Sequence, residues 1–337
     1  MSQYFQNIIS QTVEWGKCLR FYKNEGQNLI SETQKYLEEA SEIIITGIGA
    51  SYNAGKFWEY FLWQKGYRTH LIDSSEFLDY PLLPNTIVIL LSRSGKSIEI
   101  IQSLQYCKAQ NIKTIGVGND AESTLAKETD LFLPMKVNMD NSISVATYTT
   151  IFLIAHLFSK NNIKEISFDN FNDELKRFEN FADENLKEFK TENPTYFLGR
   201  KPQSGTINEA VLLWHEAAKQ PAFSFDTGSF RHGLQEVALN PINYFIFLNE
   251  GIQKENDLKL AKDLALLKGN VTIIGNNLPK IEGVKTFDLK TKTEIEQFLM
   301  ENVLMQILSY KLTLQKNINP DEFLYCKYIV EDEGGIL

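Results

Sequence analysis

Residues 86–97 read Thr-Ile-Val-Ile-Leu-Leu-Ser-Arg-Ser-Gly-Lys-Ser. An apolar, β-branched run with no polar alternation reads as a strand covered on both faces. It stops at Ser92, and a small-residue turn leads into a helix, KSIEIIQSLQYCKAQ, over 96–110. A buried strand passing through such a turn into a helix belongs in a parallel sheet, whose strands are joined by helical crossovers. Residues 42–51, EIIITGIGAS, repeat the design, with a strand that breaks at Gly47 and Gly49. SYNAGKFWEYFLWQKG follows as a helix closed by Gly66.

The rest of the first half fits around these two strands. RTHLID (68–73), KTIGVGND (113–120) and DLFLPM (130–135) read as further strands, and the apolar TYTTIFLIAHLFSK (147–160) as a closing helix. Residues before 40 read as helix, with Leu29, Ile30, Tyr36 and Leu37 at helical spacing. Residues 160–190 are charged, with Phe and Leu at helical intervals, and read as a more solvated connecting helix. The alternation then restarts. TYFLGR, NYFIFLNEG, VTIIG and VKTFDL read as strands, and INEAVLLWHEAAKQ, DLKLAKDLALLKG and ENVLMQILSYKLTLQK as helices. The expected fold is α/β: two doubly wound, flavodoxin-like parallel-sheet units in tandem, repeated in element order and not in residue identity. The boundaries expected are a helical segment 1–40, a first domain 41–160, a helical linker 161–193, a second domain 194–316 and a tail 317–337.

Composition narrows the class. The chain has 337 residues, enough for two domains, and its 34 Lys and Arg against 43 Asp and Glu give a net charge of −9. Such a chain is a poor non-specific partner for nucleic acid or an anionic membrane. A hydrophobic content of 43% suits a globular protein. Three scattered cysteines, Cys18, Cys107 and Cys326, suit a reducing compartment, not a disulfide framework or zinc site. MSQYFQNIISQTVEW lacks the basic start and apolar core of a signal peptide, and Tyr148–Phe158 is too short to span a bilayer. A cytoplasmic location is expected. With four histidines in all, a histidine-rich metal site is not expected.

In doubly wound sheets ligands bind beyond the carboxyl ends of the strands, where the strand order reverses. Ser92-Arg93-Ser94-Gly95-Lys96-Ser97 lies there, directly before a helix. Its hydroxyls, together with the unpaired amides of a helix N-terminus, form an anion site, and phosphate is the usual occupant. Arg93 and Lys96 can add charge. The bland alternative is a serine-rich cap on an ordinary helix. The G-x-x-x-x-G-K-[ST] spacing is absent, which counts against an ATPase or kinase. Gly47-Ile48-Gly49-Ala50-Ser51 offers a second small-residue loop at the same sheet end, without the third glycine of a dinucleotide fingerprint. A third hydroxyl cluster, Ser142, Ser144, Thr147, Thr149 and Thr150, precedes the closing helix, and here too helix capping is the alternative.

Acid–base candidates fall in the second half. Glu209 and Glu216 are seven residues apart and share a face of a mostly apolar helix that also carries His215. A carboxyl on a buried face tends to have a raised pKa, which suits proton transfer; a half-exposed face would explain it equally well. Histidine is the commonest general acid or base, so His232, between Arg231 and Gly233, can serve as one, or be simply solvated. His70 and His156 read as structural.

In this order the motifs resemble the sugar isomerase (SIS) family, and more closely the isomerase half of the glutamine–fructose-6-phosphate aminotransferases. GIGASYNAG (47–55) is similar to the family's G-x-G-T-S-Y-x-A-G loop, SRSGKS (92–97) to its S-Q-S-G-E-T phosphate loop, and SVATY (144–148) to its G-V-A-S-T segment. FLGR (197–200), the Glu216 helix and FRHG (230–233) resemble its F-L-G-R, K-E and K-H-G landmarks, and LYCKYIVE (324–331) its tail. The resemblance covers residues 40–337.

The resemblance implies that Ser51, Ser92, Ser94 and Ser97 contact phosphate, with Gly49, Arg93, Val145 and Thr147 around it. It implies that Glu216 moves a proton between sugar carbons one and two, that His232 opens the sugar ring, and that Lys327 reaches the sugar from the tail. In the family the histidine comes from the neighbouring subunit, so a homodimer is implied. No metal or cofactor is implied. The departures are Leu213 for the family's lysine, Arg93 and Lys96 for its glutamine and glutamate, and Ala50 for a threonine. No room precedes residue 40 for a glutamine-hydrolysing domain. The expected activity is that of an aminosugar deaminase or a deglycase acting on a fructosamine 6-phosphate. Alternatives are a simple aldose–ketose phosphosugar isomerase and a non-catalytic sugar-phosphate sensor. The partner expected is a sugar phosphate, with no nucleic acid and no membrane.

Overall fold

The apolar runs at 42–47 and 86–91 are buried along their whole length, as strands covered on both faces must be. The computed structural model describes residues 1–140, 142–159, 166, 168, 170–325, 330 and 331, and the chain divides into two units. Unit 1 comprises residues 3–167 with 321–337, and unit 2 residues 168–320.

Unit 1 runs α1 (Gln3–Lys23), α2 (Gln27–Glu39), β1 (Glu42–Gly47), α3 (Ala50–Gln64), β2 (Thr69–Asp73), β3 (Thr86–Leu91), α4 (Ile98–Ala109), β4 (Lys113–Gly118), α5 (Thr124–Glu128), β5 (Leu131–Pro134) and α6 (Ala146–Ser159). Its five strands are all parallel in the order β2-β1-β3-β4-β5. The order reverses between β1 and β3, so the loops after these two strands open onto one crevice. Ile44, Val88 and Leu90 of the sheet pack with Ile100 and Leu104 of α4. Each such side chain contributes about 1.5–3 kcal/mol on burial. Trp58 of α3 is fully buried, and its indole N–H donates to the Ile151 carbonyl of α6 at 2.9 Å. The N-terminal helix joins the same unit: the Trp15 indole of α1 donates to the Thr149 hydroxyl of α6 at 2.8 Å.

Unit 2 runs α7 (Phe171–Leu186), β6 (Thr195–Gly199), α8 (Ser204–Glu216), β7 (Ala222–Asp226), α9 (Thr227–Phe230), β8 (Asn243–Phe247), α10 (Lys254–Leu266), β9 (Asn270–Gly275), β10 (Val284–Asp288) and α11 (Glu294–Gln315). The strands are again all parallel, in the order β10-β9-β8-β6-β7. Reading β6 as first, this is the order of unit 1, with the reversal between β6 and β8. The α/β class and the pair of doubly wound sheets expected from the sequence are thus both present. Thr293 and Glu296 close α11 with a capping box, satisfying two of its orphan amides reciprocally.

Three local expectations change. The polar stretch after Gln220 contains the edge strand β7, whose pattern runs from buried Ala222 to exposed Asp226. An edge strand has one covered flank and a weak apolar signal, so the sequence hid it. HGLQEVAL (232–239), which reads as helix-like in sequence, forms a 3₁₀ turn at Leu234–Leu239. The charged segment after 160 holds α7, which buries Phe171, Leu175, Phe178 and Ala182 and packs against α11 within unit 2. Among the described residues no helix is long and apolar enough to cross a membrane, and no three His, Cys, Asp or Glu side chains gather as a metal would need.

Candidate functional site

The crevice of unit 1 is built from small side chains. Gly95 stands at φ +63°, and a Cβ there would lie 2.3 Å from the Ser123 hydroxyl oxygen and 3.0 Å from the Leu125 Cβ. Glycine alone fits that turn. The turn folds the loop onto its own hydroxyls: Ser92 Oγ accepts the Gly95 amide at 3.0 Å, and Ser94 Oγ the Lys96 amide at 3.2 Å. A hydroxyl that accepts from an amide still has its own proton to donate. Ser92 and Ser94 are buried, so these protons are held in place and kept from bulk water. Ser97 is the N-cap residue of α4 and makes no capping bond, which leaves its hydroxyl for a ligand. Across the crevice Gly49, at φ +55°, begins α3 and sets Ser51 in its first turn. The Ile98 amide at the start of α4 is already engaged, donating to the Val330 carbonyl of the tail at 3.3 Å.

The flanking cations are committed elsewhere. Arg93 donates to the Ser144 hydroxyl at 2.6 Å, and Lys96 pairs with Asp120 at 2.9 Å. That hydrogen bond raises the Lys96 pKa and lowers that of Asp120.

Asp140, which sequence reasoning passed over, organises the third hydroxyl cluster. It is 2% exposed, and its Oδ2 accepts the Val145 amide at 2.9 Å, the Thr147 amide at 3.0 Å and the Thr147 hydroxyl at 2.6 Å. Burial raises its pKa, and the Thr147 hydroxyl, the two amides and the Arg93 charge pull it back. The Thr147 proton, unlike those of Ser92 and Ser94, is therefore already given away. The signal was an aspartate five residues before the first amide it caps. Asp321 does similar work, accepting the Ser142 hydroxyl at 2.8 Å and the Gln3 and Tyr4 amides that open α1.

In unit 2 the acid–base candidates separate by burial. Glu209 and Glu216 both lie on α8; Glu209 is 1% exposed, while Glu216 closes the helix half-buried. The Lys219 ammonium donates to the Glu216 carbonyl. His215 accepts the Ala222 amide at 3.2 Å on Nε2, and burial lowers its pKa. His232 is exposed, in the turn that follows α9, its amide bonded to the Ser229 carbonyl at 3.0 Å. Lys327 lies outside the described residues.

Glu301 of α11, which the sequence reading absorbed into an apolar helix, is a strongly perturbed carboxyl. It is fully buried and pushed up to about 8 by desolvation, against hydrogen bonds from Gln297 at 2.9 Å, Gln203 at 3.4 Å and Thr206 at 3.2 Å. The argument applied to Glu209, a carboxylate inside an apolar helix, would have found it.

Residues 36–159 match the family described as the SIS domain. This part of the chain is similar to a SIS domain. A glutamine–fructose-6-phosphate aminotransferase (isomerizing) of Sulfolobus acidocaldarius is 22% identical over 317 residues, which cover 88% of this chain and 51% of that protein. The chain thus spans about half the length of the curated relatives it matches. Among solved structures, the tagatose-6-phosphate ketose/aldose isomerase of Escherichia coli superposes with a TM-score of 0.84 at 17% identity, covering 95% of this chain and 94% of that one. The glucosamine-6-phosphate deaminase of Thermotoga maritima gives a TM-score of 0.73 at 22% identity, covering 95% and 97%. At these identities the structures show a shared fold alone.

Proposed function

We propose that the chain is an enzyme that binds a phosphorylated sugar through the serine crevice of its SIS domain and acts on an amino-sugar or fructosamine 6-phosphate. The observation that carries this reading is the Ser92–Ser97 loop. Two buried serines are fixed by amides that leave their protons to donate, beside a third, Ser97, that makes no capping bond. A tetrahedral oxyanion takes three such donors, and a phosphate so held fixes the distant reacting carbons in register.

In this proposal Ser51, Ser92, Ser94 and Ser97 hold the phosphate. Gly49 and Gly95 shape the loops, and Arg93, Val145 and Thr147 position the crevice wall through Ser144 and Asp140. Glu216 is the base and acid that carries a proton between carbons one and two. His232 protonates the ring oxygen as the ring opens, and Lys327 contacts the sugar. With the amine on carbon two, proton transfer from C2 to C1 leaves a carbon–nitrogen double bond at C2. One water then hydrolyses it, releasing ammonia and a ketose phosphate. With the amine on carbon one, the transfer runs the other way, and hydrolysis releases the amine and an aldose phosphate. Neither route consumes an oxidant or a metal. A homodimer and a cytoplasmic location belong to the same proposal.

The test is to incubate the purified protein with glucosamine 6-phosphate and with fructosamine 6-phosphates of several amino acids, following ammonia and free amino acid. Release is expected, and it should vanish in Glu216→Gln. Interconversion of aldose and ketose phosphates with no nitrogen released would replace this reading with a simple isomerase. Sugar phosphates that raise thermal stability without any turnover would replace it with a sensor.

A further inference from the structure

Unit 2 repeats the strand order of unit 1, and its own crevice, between β6 and β8, holds a cavity of about 140 Å³. No serine loop lines it. The residues after β6 supply Arg200 and Gln203, and the loop after β8 leads through Glu250 and Ile252 into α10, with Lys254 and Asp257. Two observations mark it as a place for a ligand.

The first is Gln203. Its side chain is fully buried and lines the cavity; its Nε2 faces Glu301, while its Oε1 has no hydrogen-bond partner among the described residues. A buried carboxamide oxygen left unbonded is destabilising, and a donor on a ligand would remove that cost. The second is the approach to α10. The amides of Gly251, Ile252 and Gln253 donate to no group among the described residues, and Gln253 at the N-cap makes no capping bond, its Oε1 accepting instead from the Asn256 side-chain amide at 2.8 Å. They open a 13-residue helix, so a carboxylate is favoured there.

Around the cavity two ion pairs stand beside one further cation, Lys201. Arg200 Nε lies 3.1 Å from both oxygens of Asp257, and Lys254 pairs with Glu250 at 2.7 Å. A dianionic phosphate would meet these two carboxylates at close range. A ligand with one negative and one positive end meets complementary charge at both. Cavities of about 150 Å³ hold a ligand of roughly six heavy atoms.

We propose that this cavity is a second ligand site, separate from the serine crevice, and that it takes a small zwitterion, an α-amino acid. Its carboxylate sits on the Gly251–Gln253 amides, and its ammonium donates to Gln203 Oε1 and the neighbouring carboxylates. Ile252, 91% exposed at the rim, offers apolar surface to the amino acid's side chain.

The intact protein is tested by thermal shift and calorimetric titration against the twenty amino acids at 10 mM. Lactate and glycerate serve as the hydroxy-acid arm and glucosamine 6-phosphate as the phosphate arm. At least one amino acid raises Tm measurably, and its affinity falls at least tenfold in Ile252→Asp, an exposed change that leaves the unliganded Tm unaltered, and in Gln203→Met. Ser94→Ala leaves that shift in place while weakening the response to the sugar phosphate, so this site and the proposed function fail independently. The proposal is overturned if no amino acid shifts Tm, if only the hydroxy acids or the phosphate do, if the shift survives both cavity variants, or if Ser94→Ala abolishes it.

Discussion

The two crevices occupy the same place in the same topology and are made of opposite materials. In unit 1, glycine and serine bring backbone amides and hydroxyls close together, and the nearby cations are drawn away, Arg93 to Ser144 and Lys96 to Asp120. In unit 2, long charged side chains close ion pairs across a small cavity, and a buried carboxyl, Glu301, stands behind it. A strand order dictates where the loops converge, because the crossovers leave in opposite directions there; it says nothing of what those loops carry. The difference suits unit 1 to binding an anion and unit 2 to supplying titratable groups.

The largest expected effect breaks that division of labour. Glu216→Gln lowers turnover of the amino-sugar substrate by roughly 10²–10⁴, the usual worth of a general acid–base. Affinity for the sugar phosphate, measured calorimetrically, changes less than about threefold if binding energy resides in unit 1. A comparable loss of affinity would show that the carboxyl binds rather than moves a proton.

Next in size is Gly95→Ala. The Cβ meets the Ser123 hydroxyl at 2.3 Å in a backbone region that L residues avoid, so a loss of about 1–3 kcal/mol is expected in denaturant unfolding. Sugar-phosphate binding weakens at least tenfold with it, because the Ser92 and Ser94 hydroxyls lose the amides that orient them.

A pH titration sharpens the contrast from the other side. Glu301 stays protonated in the folded protein up to about pH 8, against an ordinary value of 4.5. The folded state therefore holds one more proton than the unfolded chain across that window, and stability falls as pH rises through it. Glu301→Gln removes this component and raises stability at pH 8 relative to the parent by about 1–3 kcal/mol. A parent and variant with parallel stability curves from pH 5 to 8 would show Glu301 ionised throughout.

The smallest effect belongs to Lys96→Ala. The ammonium is exposed and paired with Asp120, so thermal stability stays unchanged and phosphate affinity falls by no more than a few-fold. A loss as large as that of Gly95→Ala would make charge, rather than amide and hydroxyl geometry, the source of anion binding.

Much of this was legible along the chain. The runs EIIITG and TIVILL announce buried strands because a strand covered on both faces cannot alternate. The glycines and serines that follow announce the crevice because only small residues allow backbone amides to converge. Glu216 and His232 stand out along the chain as residue types out of place in their surroundings.

What the sequence by itself determined is local: every strand but β7, most helices, and the small-residue loops that follow β1 and β3. These follow from periodicity and backbone permissiveness, which act over a few residues. Tertiary structure alone decided the rest. The Thr147 hydroxyl is spent on Asp140, Glu301 is sealed beneath Gln203 and Thr206, β7 completes a sheet from its edge, and α7 buries one face on α11. Each depends on which groups meet after distant segments pack, and on the water removed between them, and neither quantity is written in any single stretch of sequence.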